Sequence, residues 1–243
     1  MSELSILIPC FNDEKVLRGT IDKLHDTVTH SSLNVETLIV DDESTDETLT
    51  VAKELISEYP ALHIRVFARK RRRRGFGGLI RFGMAYASGP YCAILSSDGN
   101  DPVELLPTFL NKLRAGAQLV QCSRYNSKED AKTVSLRYRI YQRLYRTAIR
   151  VLLGKKIKDS TYGFRAFNRN YVQALGTSGN RFNVCPEMTF KVLLSGGSIE
   201  YVPGKQASPR RGGSQKFRLP FEVVGYASVL FRAAMYRVGL PWF

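Results

Sequence analysis

Short apolar runs at 4–8, 36–40, 63–67, 91–95 and 118–122 alternate with helical spacing through the first 125 residues. Each run is rich in β-branched or aromatic residues and is bounded by turn residues, which predicts strands. Between them Val16, Ile21, Leu24 and Val28 recur at helical spacing, as do Leu49, Ala52, Leu55 and Ile56. Strand–helix alternation predicts an α/β fold, a mostly parallel sheet with helices on both faces. Asp42–Glu43–Ser44–Thr45 is expected to cap the second helix, and Pro102 with Glu104 to open the helix after the fourth strand.

The pattern changes after residue 125. A polar loop is expected over 126–134, a long helix over 135–153 with Gly154 as its C-cap, and a strand over 198–202. Residues 205–218 are basic and glycine-containing. The stretch 220–243 reads as helical and amphipathic. The expected organisation is one domain over 1–218 followed by an amphipathic juxtamembrane helical segment over 219–243.

With 243 residues the chain can bury a sizeable core. Its charge is less ordinary: 36 Lys and Arg against 22 Asp and Glu give +14. Such a surplus implies an anionic partner, namely nucleic acid, anionic lipid or a phosphorylated substrate. Cys10, Cys92, Cys122 and Cys185 form no CxxC pair, which predicts reduced thiols rather than a disulfide or zinc framework. No basic n-region followed by an apolar h-region opens the chain. The uncharged run 223–231 is nine residues long, and a membrane span needs about twenty.

Acids gather where the predicted strands end. Pro9-Cys10-Phe11-Asn12-Asp13-Glu14 follows the first, Asp41-Asp42-Glu43-Ser44 the second, and Ser96-Ser97-Asp98-Gly99-Asn100-Asp101 the fourth. Ligands of α/β sheets bind at the carboxyl edge, and clustered oxygen donors there suit a hard cation holding a diphosphate. Read as local structure, the same residues are ordinary turns and caps. Six consecutive cations, 69–74, precede Gly75, Gly77 and Gly78 and are expected to be a loop. Such a loop can approach phosphate or lipid headgroups.

Further along, Arg124 leaves the fifth strand in Cys122-Ser123-Arg124-Tyr125, and a guanidinium there can grip phosphate at two points. Within 135–153, Arg139, Arg143, Arg146 and Arg150 share a face beside Leu136, Ile140, Leu144, Ala148 and Val151. This suits either an interfacial helix or a core-packed helix with a basic outer side. Asp159-Ser160-Thr161-Tyr162-Gly163-Phe164-Arg165 and Arg210-Arg211-Gly212-Gly213-Ser214-Gln215-Lys216 complete the set.

In this order, over roughly residues 3–218, the motifs resemble those of the family-2 nucleotide-sugar glycosyltransferases. They look most like the polyprenyl-phosphate sugar transferases of the dolichyl-phosphate mannose synthase type. The resemblance implies a GT-A-like, Rossmann-like sheet with a basic amphipathic C-terminal part. It implies a nucleotide-sugar pocket lined by Pro9, Phe11, Asn12, Asp13, Glu14, Asp41, Asp42, Gly75, Gly77 and Asp98. Mg²⁺ or Mn²⁺ would be held by Asp98 and Asn100. Arg124, Arg139, Asp159, Arg165 and Glu187 would serve the acceptor phosphate. Arg210, Arg211 and Lys216 would join Asp98 and Arg124 at the reacting centre. Asp159 and Arg165 could also pair with each other as a structural element.

The arginines of the basic run exceed the family pattern, Cys122 stands where G-S-R-Y has glycine, and two further departures bear on the metal and the pocket. Ser96 stands where the family's D-x-D has its first acid, which lowers the charge available to a metal. Tyr162 stands where D-x-T-S-G-F-R has a small residue, which narrows the pocket. The expected activity is inverting transfer from a nucleoside-diphosphate sugar, uridine or guanosine, to polyprenyl phosphate at the cytoplasmic face of a membrane, the protein being peripheral or a truncated form of a membrane-anchored one. A phosphate acceptor is already anionic and needs no strong general base. Transfer to a soluble glycan or protein hydroxyl would instead require a base such as Glu187 or Asp101. A non-catalytic sugar-nucleotide binder is a further alternative, favoured by Ser96. A nucleic-acid-binding protein would use the arginine run but leave the acidic strand ends unexplained.

Overall fold

The computed structural model describes residues 2–70, 75–124, 136–205, 219–241 and 243. Seven strands make one sheet: β1 (Leu4–Cys10), β2 (Val35–Asp41), β3 (Ile64–Ala68), β4 (Tyr91–Ile94), β5 (Leu119–Ser123), β6 (Arg165–Asn168) and β7 (Ile199–Pro203). Their order is β3-β2-β1-β4-β6-β5-β7. β6 runs antiparallel to both neighbours, and the remaining pairs are parallel. The helices are α1 (Leu17–Ser31), α2 (Thr48–Glu58), α3 (Phe76–Tyr86), α4 (Leu106–Arg114), α5 (Leu136–Leu153), α6 (Arg169–Leu175), α7 (Val184–Leu194) and α8 (Leu219–Arg237).

Successive side chains of a strand point to opposite faces, and β1 uses both. Leu4, Ile6 and Ile8 join Leu17, Ile21 and Leu24 of α1 and Phe109 and Leu113 of α4 in one core. Leu7 joins Ile80 and Met84 of α3 and Met188 and Val192 of α7 in a second core across the sheet. A strand buried on both faces must be apolar almost throughout, as LSILIPC is. α5, α7 and α8 share a third cluster containing Tyr145, Ile149, Phe190, Tyr226, Val229 and Ala233. The C-terminal helix is therefore packed against the domain through a buried face.

All six expected strands are present. β6 was not anticipated: four residues opening on an arginine carry no strand-like alternation. The expected helix caps shift. Asp46, not the 42–45 stretch, accepts the Thr48 N–H at 3.0 Å, and a 3₁₀ turn (Val103–Leu105) intervenes between Pro102 and α4. Gly154 closes α5 as expected, with φ of 67° and its N–H donating to Arg150 O at 3.0 Å. The polar stretch 126–134 lies outside the described residues.

At the amino-terminal edge of the sheet, Glu36 ties β2 to the turn before β4. It accepts the Ser5 hydroxyl at 2.6 Å, the Ser88 N–H and hydroxyl at 2.6 and 2.7 Å, and Arg65 Nη1 at 3.1 Å. Burial alone pushes this carboxyl up, but the hydrogen bonds from Ser5, Ser88 and Arg65 overcome it and hold it near 2.

Candidate active site at the carboxyl edge of the sheet

The strand order reverses between β1 and β4, and the loops leaving these two strands are bonded together. Asp13 is buried; its Oδ2 accepts the Phe11 N–H at 3.0 Å and the Ser97 hydroxyl at 2.6 Å. The Thr20 hydroxyl of α1 donates to Ser97 O at 2.8 Å. The loop after β1 is also bonded to the one after β2. Asn12 N–H donates to Ser44 Oγ at 2.9 Å, Thr45 N–H donates to Asn12 Oδ1 at 2.8 Å, and Glu47 N–H donates to Glu14 Oε2 at 3.0 Å. Pro9 is buried in β1, while Phe11, Asn12 and Glu14 are half-buried at the edge. The carboxyl edge of the sheet thus gathers the acidic loops after β1, β2 and β4 at a topological switch point, where α/β sheets bind ligands.

The adjacent acids Asp41 and Asp42 are separated by their partners. Asp41 accepts the Ser44 N–H at 3.1 Å and the Ser44 hydroxyl. Asp42 forms a buried ion pair with Arg69, Nε at 3.0 Å and Nη2 at 2.7 Å, and its other oxygen accepts the Gly75 N–H at 2.8 Å. The first cation of the basic run is therefore part of the fold. Arg71 to Arg74 lie outside the described residues. Gly75 and Gly77 are needed for a tight crossing within the protein. A Cβ on either would come within 2.2 and 2.1 Å of the carbonyl oxygens of Asn180 and Gly179. The room expected for a phosphate is filled here by the 179–180 backbone.

In the loop after β4, the Ser96 hydroxyl donates to Asp98 Oδ1 at 2.8 Å, and so does the Asn100 N–H at 3.2 Å. Asp98 is half-exposed. Asn100 is buried, and its amide nitrogen meets no partner among the described residues. Asp101, 6 % exposed, accepts the Ser96 N–H at 2.7 Å on one oxygen and the Tyr162 hydroxyl at 2.6 Å on the other. Burial, then the neighbouring Asp98 charge, raises the Asp101 carboxyl to about 6 against the hydrogen bonds that lower it. Among the described residues no three His, Cys, Asp or Glu side chains cluster as a metal site. One half-exposed carboxylate beside an amide is a small donor set. It fits a magnesium-like ion bound through one or two carboxylates and completed by substrate phosphates.

Beyond Tyr162, Arg124 is buried just past the end of β5. Its Nε donates to Asp159 Oδ2 at 2.8 Å and its Nη2 to Asp159 Oδ1 and Thr161 Oγ1, each at 3.2 Å. Its guanidinium carbon lies 4.4 Å from the Tyr162 ring centroid and 5.4 Å from that of Tyr138 on α5. Gln142 donates to Thr161 Oγ1 at 2.7 Å, so α5 is anchored beside Arg124. Asp159 thus pairs with Arg124, not Arg165. Arg165 is fully buried and donates to the carbonyls of Cys185 at 2.7 Å, Ser160 at 3.0 Å and Tyr162. It braces the backbone instead of facing a ligand. Glu187 is likewise fully buried. It accepts the Ser178 and Gly179 N–H groups at 3.0 and 2.6 Å and the Ser178 hydroxyl at 2.8 Å. Its carboxylate holds the 178–180 turn against Gly75 and Gly77. Arg139 is half-buried on α5. Arg210, Arg211 and Lys216 lie outside the described residues. Gln142 is not foreseen from the sequence; Tyr162 is foreseen as narrowing the pocket, but not its bond to Asp101 or its contact with Arg124.

Residues 5–176 match the model of glycosyl transferase family 2. The chain belongs to that family. Two curated relatives are similar to this family-2 chain over most of its length. The dolichol-phosphate mannosyltransferase of Pyrococcus furiosus is 25% identical over 191 residues, covering 78% of this chain and 53% of the relative. The polyprenol monophosphomannose synthase of Mycolicibacterium smegmatis is 27% identical over 207 residues, 82% of this chain and 75% of that protein. The chain therefore spans about half the length of the first relative. The fold is similar to that of glucosyl-3-phosphoglycerate synthase from Mycobacterium tuberculosis, crystallised with Mn²⁺, UDP and phosphoglyceric acid. The two share 20% identity and a TM-score of 0.70, covering 99% of this chain and 80% of that one. At that identity the likeness is one of fold, and it is the GT-A fold that a family-2 glycosyl transferase is expected to have.

Proposed function

We propose that the protein transfers a sugar from a nucleoside-diphosphate sugar to a polyprenyl phosphate at a membrane surface, with inversion at the anomeric carbon. The observation that carries this reading is α5. It exposes Leu136, Ile140, Leu144 and Val151 at 66, 54, 66 and 73%, with Arg137, Arg143 and Arg150 exposed among them. The same helix sets Tyr138 and Gln142 beside Arg124 and Thr161. A cationic, apolar helix face continuous with a buried arginine suits an acceptor whose tail stays in lipid while its phosphate reaches the cleft. Phe221 and Val224 of α8, 64 and 70% exposed, add apolar surface. Both relatives are named for phosphorylated polyprenol products or acceptors. No helix among the described residues is long and apolar enough to cross a membrane, so attachment through helix faces is proposed. The cytoplasmic side is proposed because all four cysteines are free thiols.

The nucleotide would lie in the crevice lined by Pro9, Phe11, Asn12, Asp13, Glu14, Asp41 and Asp42. Asp98, with Asn100, would hold Mg²⁺ or Mn²⁺, which when bound supplies positive charge to the leaving diphosphate. Arg210, Arg211 and Lys216 would add to that charge. Arg124, kept in place by Asp159, Thr161 and Tyr162, would orient the acceptor phosphate, with Arg139 on its α5 side. The phosphate oxygen attacks the anomeric carbon from the face opposite the departing diphosphate, and the bond to that diphosphate breaks. No side chain has to remove a proton, so catalysis is positioning and charge stabilisation.

The test is a panel of uridine and guanosine diphosphate sugars with polyprenyl phosphate in anionic vesicles, with and without Mn²⁺. A lipid-linked sugar phosphate of inverted configuration by NMR, formed only with the cation, is the expected product. Transfer confined to soluble hydroxyl acceptors would overturn the proposal.

A further inference from the structure

Two departures from the family motifs, Ser96 and Tyr162, lie 66 positions apart in sequence and meet on one carboxylate. Asp101 accepts the Ser96 N–H at 2.7 Å and the Tyr162 hydroxyl at 2.6 Å. Ser96 in turn donates its hydroxyl to Asp98. On the other side the Tyr162 ring stacks beneath Arg124 at 4.4 Å, and the Tyr162 N–H donates to Asp159 Oδ1 at 3.3 Å, the oxygen that Arg124 Nη2 also reaches. Tyr162 is 7% exposed and Asp101 6%. A continuous chain of contacts thus runs from Asp98 through Ser96, Asp101 and Tyr162 to Arg124 and Asp159.

A small side chain at position 162 could neither reach Asp101 nor cover the guanidinium. An acid at position 96 would set a third carboxylate beside Asp98 and Asp101, and like charges that close oppose one another. We propose that Tyr162 is a positioning residue that couples the cation-holding loop to the acceptor arginine and that it compensates for the serine at position 96. The ring holds Arg124 in plane for the acceptor; the hydroxyl holds Asp101, and through Ser96 N–H the loop that carries Asp98. This inference rests on the proposed roles of Asp98 and Arg124, and it concerns how this particular chain keeps them in register.

Two single variants separate the two functions of the side chain. Tyr162→Phe keeps the ring and loses the hydroxyl; Tyr162→Ser loses both. Mn²⁺-dependent UDP and GDP binding is read by titration calorimetry, and acceptor KM by steady-state transfer. Thermal melting checks that each variant is folded. Tyr162→Phe is expected to weaken Mn²⁺-dependent nucleotide binding about tenfold while leaving acceptor KM within twofold. Tyr162→Ser is expected to weaken that binding and also to raise acceptor KM about tenfold or more. Adding Ser96→Asp to Tyr162→Ser is expected to recover cation-dependent binding, whereas Ser96→Asp alone lowers it, so the two changes are not additive. Unchanged nucleotide binding in Tyr162→Phe, or additive effects in the double variant, would overturn the coupling. If the wild type uses only a hydroxyl acceptor, the lipid-phosphate assignment fails. The KM split and the calorimetry still decide the role of Tyr162 on that acceptor.

Discussion

Asp98 and Arg124, joined through Ser96, Asp101 and Tyr162, are held by different means. Asp98 is half-exposed and bonded within its own loop. Asp98→Ala is expected to lower transfer at least a hundredfold while the variant stays folded by circular dichroism, since the contacts it loses are those of a single loop. Full activity in that variant would remove it from the cation site. Arg124 belongs to a buried pair, and removing one member of such a pair costs about 3–5 kcal/mol. Asp159→Ala is therefore expected to lower the urea midpoint strongly as well as activity, and a stability loss below about 1 kcal/mol would contradict the pairing. Glu36, far from the cleft, supplies a pH signature. Its carboxyl is held at about 2 in the fold against an ordinary value of 4.5. Its contribution is complete above pH 4.5 and is lost as pH falls toward 2. Glu36→Gln is expected to lower stability at neutral pH and to flatten the acid limb of the stability curve between those values. An unaltered acid limb in chemical denaturation would show that the carboxylate is not held as described.

At the scale of the element, the parallel strands were readable because each is a short apolar run closed by a turn. β6 and α7 were not. β6 depends on Arg165, whose charge disguises a strand and is accommodated only by carbonyls from segments distant in sequence. α7 is buried on nearly every side, so no helical stripe stands out. The pairing of Arg124 with Asp159 likewise spans 35 positions and joins two motifs that sequence treats separately. Candidate residues were thus easier to nominate than to pair: Arg124 pairs with Asp159, while Arg165 and Glu187 hold backbone groups. The sequence of α5 admits an interfacial or a core-packed helix; one side is core-packed and the other is exposed and apolar. Tyr145, Ile149 and Leu153 face the core, and Leu136, Ile140, Leu144 and Val151 face outward. Changing Ile140 and Leu144 together to Glu is expected to abolish sedimentation with anionic vesicles without lowering the melting temperature. Undiminished vesicle binding would move the membrane contact elsewhere.

For the whole molecule, the GT-A sheet gives the chemistry a rigid edge, and the α5–α7–α8 cluster fastens a cationic, partly apolar layer to the side proposed for the acceptor. A net charge of +14 would draw the molecule to anionic surfaces with an attraction that salt screens. Vesicle binding is expected to fall severalfold between 50 and 500 mM salt while the apolar contribution persists. A salt-independent affinity would assign the attachment to apolar contact alone. The proposed reaction stands or falls on the phosphate of the acceptor, since that group brings the nucleophile already charged. The most direct measurement is the initial rate with polyprenyl phosphate against the same polyprenol without its phosphate, in identical vesicles with Mn²⁺ and the preferred sugar nucleotide. At least a hundredfold preference for the phosphorylated lipid is expected; equal rates would contradict transfer to a phosphate.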